Sequence, residues 1–476
     1  MIERSSPVQR AFSRGRRIWP RWVDSTDLLT CLLLILLAVL ATGLPFGIAV
    51  GLLGAMVIAG VWRPRAALLA VPATIPFAPL HAVIGGASFS VLELALVCAV
   101  GSVALREVWS CLRARSLRHS LSRAVELASR AAFAPLALAL IVVGTASLGI
   151  VADPSHVRES LREWRWVIVE PIAYYVAALW LLKRPDGWRK LLGAWIGASV
   201  LAAIVCVTQW FSGGGLTVEG VRRLTGFYPH PNAAALALER PALLALAIGL
   251  GSTGRARYVW GCSSAVIGLA TALTFSRGAM LALLLGTAAV LWTLHHRRWF
   301  YGLFLAGFLV GLFAVVAFPE RLRAGLWADG EALRLAIWKS TLAMISDRPL
   351  TGVGLDQFLY QYAPRYIDPA AWPERFTSHP HNLFLDAWVT FGTNGIFLLA
   401  SAVWLVVKTT RQRLVWPLDF AVGISLLGGL VHGLVDRGFF TPELSLSFWL
   451  AAVILDAPRT ARSAAMETGG KPCECW

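Results

Sequence analysis

Charged residues are scarce in this chain. Asp, Glu, Lys and Arg make up 15% of the 476 residues, against about 25% in ordinary soluble domains. Hydrophobic residues make up 57%, and they gather in long runs separated by short charged loops. Because a soluble domain cannot bury so many long apolar segments, the composition excludes a soluble globular protein and indicates an α-helical membrane protein.

The cysteines form no pattern typical of disulfides or metal sites. Four of them lie within apolar runs, namely Cys31, Cys98, Cys206 and Cys262. In such runs a free thiol behaves as a small hydrophobic side chain. Two more, Cys473 and Cys475, lie in a polar tail without further His or Cys residues at zinc-ligand spacing. We therefore predict no disulfide framework.

The net charge of +16 does not indicate nucleic-acid binding. Lys and Arg form no basic stripe with interleaved aromatic residues, as a nucleic-acid surface would require. They fall in alternate loops instead, which is the pattern of the positive-inside rule. The basic N-terminal segment, residues 1–27, lacks a small-residue cleavage site before a short apolar core, so we interpret it as a cytoplasmic tail rather than a signal peptide.

The apolar runs predict an all-α, polytopic transmembrane protein. They occupy residues 28–44, 46–62, 66–84, 87–105, 131–151, 166–182, 191–211, 231–251, 258–276, 279–294, 299–318, 383–407, 416–435 and 439–456. Several are short, and prolines interrupt the run at 66–84. We therefore expect about 12–14 true spans, divided into a first transmembrane part (28–318) and a last part (383–456), with a cytoplasmic tail at 457–476.

The loop charges predict which connections face the cytoplasm. Basic residues recur in alternate connections, at Arg63 and Arg65, Arg106 to Arg130, Lys183 to Lys190, Arg255 and Arg257, Arg297 and Arg298, and Lys408 to Arg413. The remaining connections, at 152–165, 212–230, 276–278 and 319–382, are predicted to lie outside. The last is unusually long, and loops of such length are often functional. Apolar residues recur in it at helical spacing, which predicts an amphipathic interfacial helix: Leu333, Ile337, Trp338, Leu342 and Ile345.

Arginines on the outer side are exceptions to the positive-inside pattern. Arg277 lies between two apolar runs with almost no loop around it, and Arg334 begins the predicted amphipathic helix. A charge near the membrane is unfavourable unless it has a partner. A guanidinium group binds phosphate through two parallel hydrogen bonds, so these residues are candidate phosphate ligands. The alternative is an arginine that snorkels to the interface or forms a salt bridge.

Two histidines, His379 and His381, directly precede the run at 383–407. A neutral histidine at this outer mouth can accept a proton from a hydroxyl group, as a general base does. The alternative is a two-histidine metal site, but no third ligand is evident and no Asp-x-Asp pair occurs in the outer loops. We therefore predict no metal.

Several ionisable residues fall within or at the ends of apolar runs: Glu93, Glu170, Glu239, Arg240, Asp386, His432 and Asp436. Such residues mark functional sites or form hydrogen bonds between helices. We interpret Glu93 as structural. His432 and Asp436 are four residues apart, which predicts that they share one helix face.

Short motifs occur in a fixed order along the chain. They are Arg223-Leu224-Thr225-Gly226 with Pro231-Asn232, Thr274-Phe275-Ser276-Arg277-Gly278, Arg334 with Trp338, Pro349 with Gly352 and Gly354, His381-Asn382 with Leu385, Gly392 with Gly395, and His432 to Asp436. As an ordered set, they resemble the O-antigen ligase and O-antigen polymerase superfamily of bacterial inner membranes.

This resemblance implies a membrane-embedded glycosyltransferase of the GT-C type, in lipopolysaccharide biosynthesis. O-antigen ligases transfer a glycan from undecaprenyl diphosphate to a sugar hydroxyl of the lipid A core at the periplasmic face, without metal or ATP. Expected partners are therefore this donor, this acceptor and membrane lipids, with no cofactor and no nucleic acid. The essential residues of the family fall on His381, Arg277 and Arg334, although His379 can align with the family histidine instead.

We also predict a set of substrate-binding residues: Arg223, Asn232, Trp338, Lys339, Arg348, His379, Asn382, Asp386, His432 and Asp436. The chemistry is consistent with these roles, because a departing diphosphate needs positive charge. In-line attack assisted by histidine would invert the anomeric carbon. Alternative functions are an O-antigen polymerase, a protein O-oligosaccharyltransferase and a polyanion transporter, and no residue separates the first two from a ligase.

Overall fold

A computed structural model of the protein describes residues 30, 46–84, 87–114, 117–182, 185–218, 220–303, 305, 329–412 and 418–467. Several predictions lie outside these residues. They concern the N-terminal tail, most of the runs at 28–44 and 299–318, the beginning of the outer loop at 319–328, and the tail cysteines Cys473 and Cys475.

Helices make up most of the described structure, as predicted. In chain order they are α1 (Phe46–Trp62), α2 (Pro64–Thr74), α3 (Val91–Ala114), α4 (Leu117–Arg130), α5 (Ala134–Leu148), α6 (Val157–Glu163), α7 (Glu170–Leu181), α8 (Pro185–Ser212), α9 (Pro231–Gly251), α10 (Arg255–Leu273), α11 (Arg277–Thr293), α12 (Asp329–Asp347), α13 (Phe358–Gln361), α14 (Leu383–Phe391), α15 (Thr393–Arg411), α16 (Leu418–His432) and α17 (Pro442–Glu467). Two antiparallel hairpins pair β1 (His81–Ile84) with β2 (Ala87–Ser90) and β3 (Leu216–Val218) with β4 (Val221–Arg223). The protein is thus an all-α membrane protein with two small hairpins.

Three of the described helices are long and apolar enough to cross a membrane: Gly187–Ser212, Pro231–Gly251 and Thr393–Arg411. A fourth span results if the pair Ser120–Arg130 and Ala134–Leu148, bent by 101°, counts as one. The number is below the predicted 12–14 because several apolar helices are shorter than 18 residues and two predicted runs lie largely outside the described residues.

The predicted run at 66–84 is not a continuous helix. Helix α2 ends at Thr74, a 3₁₀ turn follows at Ile75–Phe77, and the chain then enters strand β1. Pro76 and Pro79 lack the backbone N–H that an α-helix needs, and a proline ring also clashes with the preceding turn. The run at 87–105 likewise begins as strand β2 before helix α3.

The predicted run at 383–407 is also divided. Helix α14 ends at Phe391 and helix α15 begins at Thr393, with Gly392 between them at a φ of +62°. A Cβ atom at Gly392 would lie 2.2 Å from the carbonyl oxygen of Leu350. The break therefore needs glycine for its backbone conformation and for the close approach of the outer loop.

Helix α9 lies at the centre of a group of packed helices. It packs against α10, α11 and α16. Buried Arg240 donates to the carbonyl oxygen of Leu444 at 3.0 Å and to the Ser447 hydroxyl at 2.5 Å, both in α17, and to the carbonyl oxygen of Gly438. A Cβ atom at Gly429 of α16 would lie 2.4 Å from Arg240 Nε, so only glycine leaves room for this side chain.

The described part of the long loop at 319–382 is folded. Helix α12 confirms the predicted helix there, and Ile337 and Ile345 are buried as the stripe predicted, whereas Leu342 is 52% exposed. The loop is joined to the helices by backbone hydrogen bonds, from Val353 N to Val389 O at 2.7 Å and from Ala152 N to Val353 O at 2.9 Å. These bonds hold the loop over the end of α14.

Candidate active site

The segment with the two histidines is fixed at its C-terminal end. The Asn382 side chain caps helix α14 by accepting hydrogen bonds from Phe384 N at 3.0 Å and Leu385 N at 3.1 Å. Its amide nitrogen donates to the carbonyl oxygen of Leu434 at 2.8 Å, so the segment is tied to the turn after α16. His381 has a φ of +52°, which is rare for a residue with a side chain and is strained. Asn382 thus positions this turn.

Asp436 lies between the two histidines. His381 Nδ1 is 3.4 Å from Asp436 Oδ1, and His379 Nε2 is 3.7 Å from the same oxygen. The imidazole rings are 4.3 Å apart between centroids and tilted by 54°. The side chains of His379 and His381 are 19% and 24% exposed, so the cluster is reachable from outside. The sequence indicated no third ligand here, and that was wrong: the turn after α16 brings Asp436, 55 residues from His381, to both rings.

The environment sets the charges in this cluster. Burial lowers the pKa of His379 to about 4, even though the hydrogen bond to Asp436 opposes this effect. Burial disfavours the charged form of Asp436 too, but hydrogen bonds from His379 and His381 outweigh it and hold the pKa of Asp436 well below its usual value. At neutral pH the cluster therefore contains a neutral His379 and an ionised Asp436.

The other nitrogen of His381 faces a hydroxyl group. His381 Nε2 is 3.3 Å from Thr377 Oγ1, and the Thr377 hydroxyl also lies 3.1 Å from the carbonyl oxygen of His379, to which it donates. If Nδ1 carries the proton that Asp436 accepts, Nε2 is left as a proton acceptor. A carboxylate behind a histidine orients catalytic imidazoles in this way.

A second pair, formed by a histidine and a carboxylate, lies deeper in the protein. Helix α16 ends at His432, so Asp436 lies in the following turn and the prediction of one shared helix face was wrong. The two side chains are still neighbours, with His432 Nε2 4.0 Å from Asp436 Oδ2. His432 Nδ1 is 2.6 Å from Glu239 Oε2, and Nε2 is 3.4 Å from the Ser276 hydroxyl. Gly278 permits this packing, because a Cβ atom there would lie 2.3 Å from His432 Cδ2.

Asp386 belongs to an ion cluster around Arg437. Arg437 Nη2 donates to Glu163 Oε1 at 2.5 Å, and Arg437 Nε lies 3.3 Å from Asp386 Oδ2. The cluster joins α6, α14 and the turn that carries Asp436. Although burial disfavours its charged form, the neighbouring Glu163 and Asp386 raise the pKa of Arg437. Arg437 follows Asp436 directly, so the cluster fixes the backbone that carries this carboxylate.

The loop at 212–230 and the beginning of α9 contribute a polar wall. Arg223 donates from Nη2 to Asn232 Oδ1 at 2.6 Å and from Nε to the carbonyl oxygen of Thr274 at 2.7 Å. His230 accepts a hydrogen bond from Asn232 N at 3.2 Å. The charges of Arg223, Asp436 and His381 are close enough to act on its imidazole ring. Arg223 and Asn232 are therefore brought together beside the histidine cluster. Because these two side chains are hydrogen-bonded to each other, we predict that the wall orients the substrate and does not supply an unpaired charge.

The predicted residues of helix α12 divide into two groups. Trp338 Nε1 donates to the carbonyl oxygen of Pro380 at 2.9 Å, so this helix touches the segment between the two histidines. Half-buried Arg334 lies four residues earlier, on the same helix face. Arg334 lies more than a turn inside α12, so the prediction that it begins this helix was wrong. Lys339 instead pairs with Asp368 at 2.8 Å, and Arg348 follows the end of the helix. These last two contribute to the outer loop.

Arg277 is the first residue of helix α11, next to the deeper pair. Its neighbours Ser276 and Gly278 both contact His432, and the Arg277 side chain is exposed. The positions of the candidate residues are thus spread over several elements, and the side chains of His379, His381, Asp436 and His432 meet.

Four residues around the site were not predicted from the sequence: His230, Thr377, Glu163 and Arg437. Arg437 had a usable signal, because it is a cation at the outer end of an apolar run and directly follows Asp436. His230 and Thr377 contact residues only two and four positions away, but their residue types gave no signal in the sequence. Glu163 had none because its partner Arg437 is 274 residues away.

The fold and the site define a class: an all-α membrane protein with a histidine–carboxylate cluster and arginines near one mouth. Residues 262–400 match the family model described as O-antigen ligase. This match confirms the predicted resemblance to the O-antigen ligase family over that part of the chain and indicates a role of the ligase or polymerase type. No curated protein matches the chain. The match includes Arg277, Arg334, His379 and His381, and Asp436 joins them from outside it.

Proposed function

We propose that this protein is an O-antigen ligase of the bacterial inner membrane. It transfers a glycan from undecaprenyl diphosphate to a sugar hydroxyl of the lipid A core at the periplasmic face. The observation that carries the proposal is the contact of His381 Nδ1 with Asp436 Oδ1 at 3.4 Å, within a chain that carries the O-antigen ligase domain. This contact leaves His381 Nε2 as the proton acceptor.

The reaction follows from these positions. The acceptor hydroxyl gives its proton to His381 Nε2 while its oxygen attacks the anomeric carbon of the donor sugar. The bond between that carbon and the diphosphate oxygen breaks, and undecaprenyl diphosphate leaves with the electron pair. Attack from the opposite side inverts the anomeric configuration. The imidazolium ion that forms is stabilised by the ionised Asp436.

Arg277 and Arg334 take the diphosphate in this proposal. Negative charge develops on the leaving oxygen, and guanidinium groups stabilise it where it forms. Both residues lie beside segments that contact the histidines: Arg277 between Ser276 and Gly278, and Arg334 one turn from Trp338. Arg223 and Asn232 bind the sugars from the polar wall. Transfer needs no metal ion, since the arginines supply the positive charge.

An apolar cavity of about 490 Å³ supports a prenyl-linked donor. Its lining begins at Leu383 and Gly438, beside the histidine segment, and continues between α15 and α16 to Thr410. A polyprenyl chain is apolar throughout, so it matches this lining better than a polyanion would. This favours transfer from a lipid-linked donor over polyanion transport.

Reconstitution tests the proposal and its nearest alternative. Purified protein in liposomes receives an undecaprenyl-diphosphate glycan, either with lipid A core or without it. A ligase forms a single product on lipid A core. A polymerase forms a ladder of lipid-linked products without it, and this result would contradict the proposal. The His381→Ala protein serves as the matched inactive control, and a peptide acceptor tests for a protein O-oligosaccharyltransferase.

A further inference from the structure

The cluster of His379, His381 and Asp436 has the composition of a three-ligand metal site. The three candidate ligand atoms, His379 Nε2, His381 Nδ1 and one oxygen of Asp436, all lie within 4.8 Å of one another. Two imidazoles and one carboxylate are donors that zinc accepts, and three protein ligands with one open position are typical of its accessible sites. Magnesium is a poor match, because it prefers oxygen ligands in an octahedron.

The distances match a zinc ion placed between these atoms. Zinc–nitrogen bonds of about 2.0–2.1 Å in a tetrahedron place neighbouring ligand atoms about 3.4 Å apart. The contacts of Asp436 Oδ1 with His381 and His379 measure 3.4 Å and 3.7 Å. The remaining pair, His379 Nε2 and His381 Nδ1, lies within 4.8 Å.

The outer ring nitrogens have the partners that a metal site needs. Histidine ligands normally donate their second ring N–H to an oxygen, which fixes the ring and its tautomer. His379 Nδ1 lies 3.2 Å from the Ser378 hydroxyl, and His381 Nε2 lies 3.3 Å from the Thr377 hydroxyl. The backbone N–H of Arg437 donates to Asp436 Oδ1 at 2.8 Å, which orients the carboxylate. Each of the three ligands is therefore held in place.

We propose that His379 Nε2, His381 Nδ1 and Asp436 bind one zinc ion, with water in the fourth position, and that zinc inhibits the protein. Zinc takes the Nδ1 lone pair of His381, so the proton on Nδ1 moves to Nε2, with no net gain or loss of protons. With Nε2 protonated, His381 cannot accept the proton of the acceptor hydroxyl. The inhibition rests on the proposed function, whereas the binding does not.

Binding is measured on the purified full-length protein in detergent after treatment with EDTA. Zinc is titrated against a fluorescent chelator, and cobalt(II) is used separately as a spectroscopic probe of tetrahedral geometry. We expect one zinc ion per chain and visible absorption from the cobalt form. His379→Gln and Asp436→Asn should each weaken zinc binding by at least about tenfold, since each removes one of three ligands.

A matched control is available on the same face of the protein. His156 also has a carboxylate neighbour, Asp153, at 3.1 Å, but its ring stacks on Tyr360 and it does not belong to the three-ligand cluster. His156→Gln should leave zinc binding and transfer unchanged. Equal zinc affinity in wild type and both ligand variants, or binding of magnesium in place of zinc, would overturn the site.

Inhibition is measured as the rate of transfer, relative to each variant's own rate without zinc. Saturating zinc should slow the wild type by roughly a hundred-fold, as loss of a general base does. His379→Gln should need at least about tenfold more zinc for the same effect, because one ligand is lost. Zinc that binds without slowing transfer would overturn the inhibition and His381 as the base. A protein that binds zinc but transfers no glycan would overturn the proposed function and leave the zinc site standing.

Discussion

Two histidine–carboxylate pairs lie side by side in this protein, and they differ in depth and in distance. His432 and Glu239 are 2.6 Å apart, with side chains 1% and 0% exposed. His381 and Asp436 are 3.4 Å apart, with side chains 24% and 7% exposed. The pairs are neighbours, since His432 Nε2 lies 4.0 Å from Asp436 Oδ2.

This difference separates a structural pair from a chemical one. The deep pair joins α16 to α9, and no substrate can reach it. The outer pair has a looser contact and a ring nitrogen near solvent, so it can exchange a proton with a bound hydroxyl. Identical side-chain chemistry therefore has two roles, and access decides between them.

Replacing His432, which removes one member of the deep pair, should strongly lower the stability of the protein. His432→Ala leaves the fully buried Glu239 without its partner, and loss of one member of a buried ion pair lowers the free energy of unfolding by about 3–5 kcal/mol. Thermal and denaturant unfolding in detergent measure this change. His381→Ala is the matched control and should unfold like the wild type. Equal stability of the two variants would contradict the division into structural and chemical pairs.

Replacing Arg277 or Arg334 tests whether the pair of His381 and Asp436 performs chemistry. If the outer pair performs chemistry, the leaving diphosphate needs positive charge near it. Arg277→Lys and Arg334→Lys should each slow transfer by roughly a hundred- to a thousand-fold, because an ammonium group lacks the planar fork. Single-turnover transfer measures the effect. Arg365→Lys, at an outer arginine that contacts Gln361 at 3.2 Å, should retain the wild-type rate. Normal rates in both test variants would remove the arginines from the mechanism.

Removing the outer imidazole tests the base directly. His381→Ala should slow transfer by roughly a hundred-fold or more. Binding of the intact prenyl-diphosphate glycan, measured in parallel, should change little. His379→Ala should have a smaller effect, because His379 lies farther from Asp436 at 3.7 Å. An inactive His379→Ala protein beside an active His381→Ala protein would move the base two residues upstream.

The smallest expected effect is that of a chelator. Transfer in excess EDTA should proceed at the wild-type rate, because arginines and not a metal ion stabilise the leaving group. The measurement compares initial rates with and without EDTA at fixed donor and acceptor. Activity lost in EDTA and restored by magnesium or manganese would show that a metal takes part in catalysis.

Much of the fold could be read from hydropathy, but the breaks could not. The run at 231–251 is helix α9 with the predicted bounds, because a predominantly apolar segment in a membrane must satisfy its backbone hydrogen bonds internally. The run at 383–407 is similarly apolar, yet it divides at Gly392. That division depends on the carbonyl oxygen of Leu350, whose approach no local pattern records.

The site divides in the same way. The residue types of the outer mouth, the order of the motifs and the family resemblance followed from the sequence alone. Only the tertiary structure decided that Asp436 belongs with His379 and His381 and that His432 belongs with Glu239. The physical reason is that periodicity and composition report contacts a few residues apart. Glu239 and His432 are 193 residues apart, and only the packing of α9 on α16 brings them together.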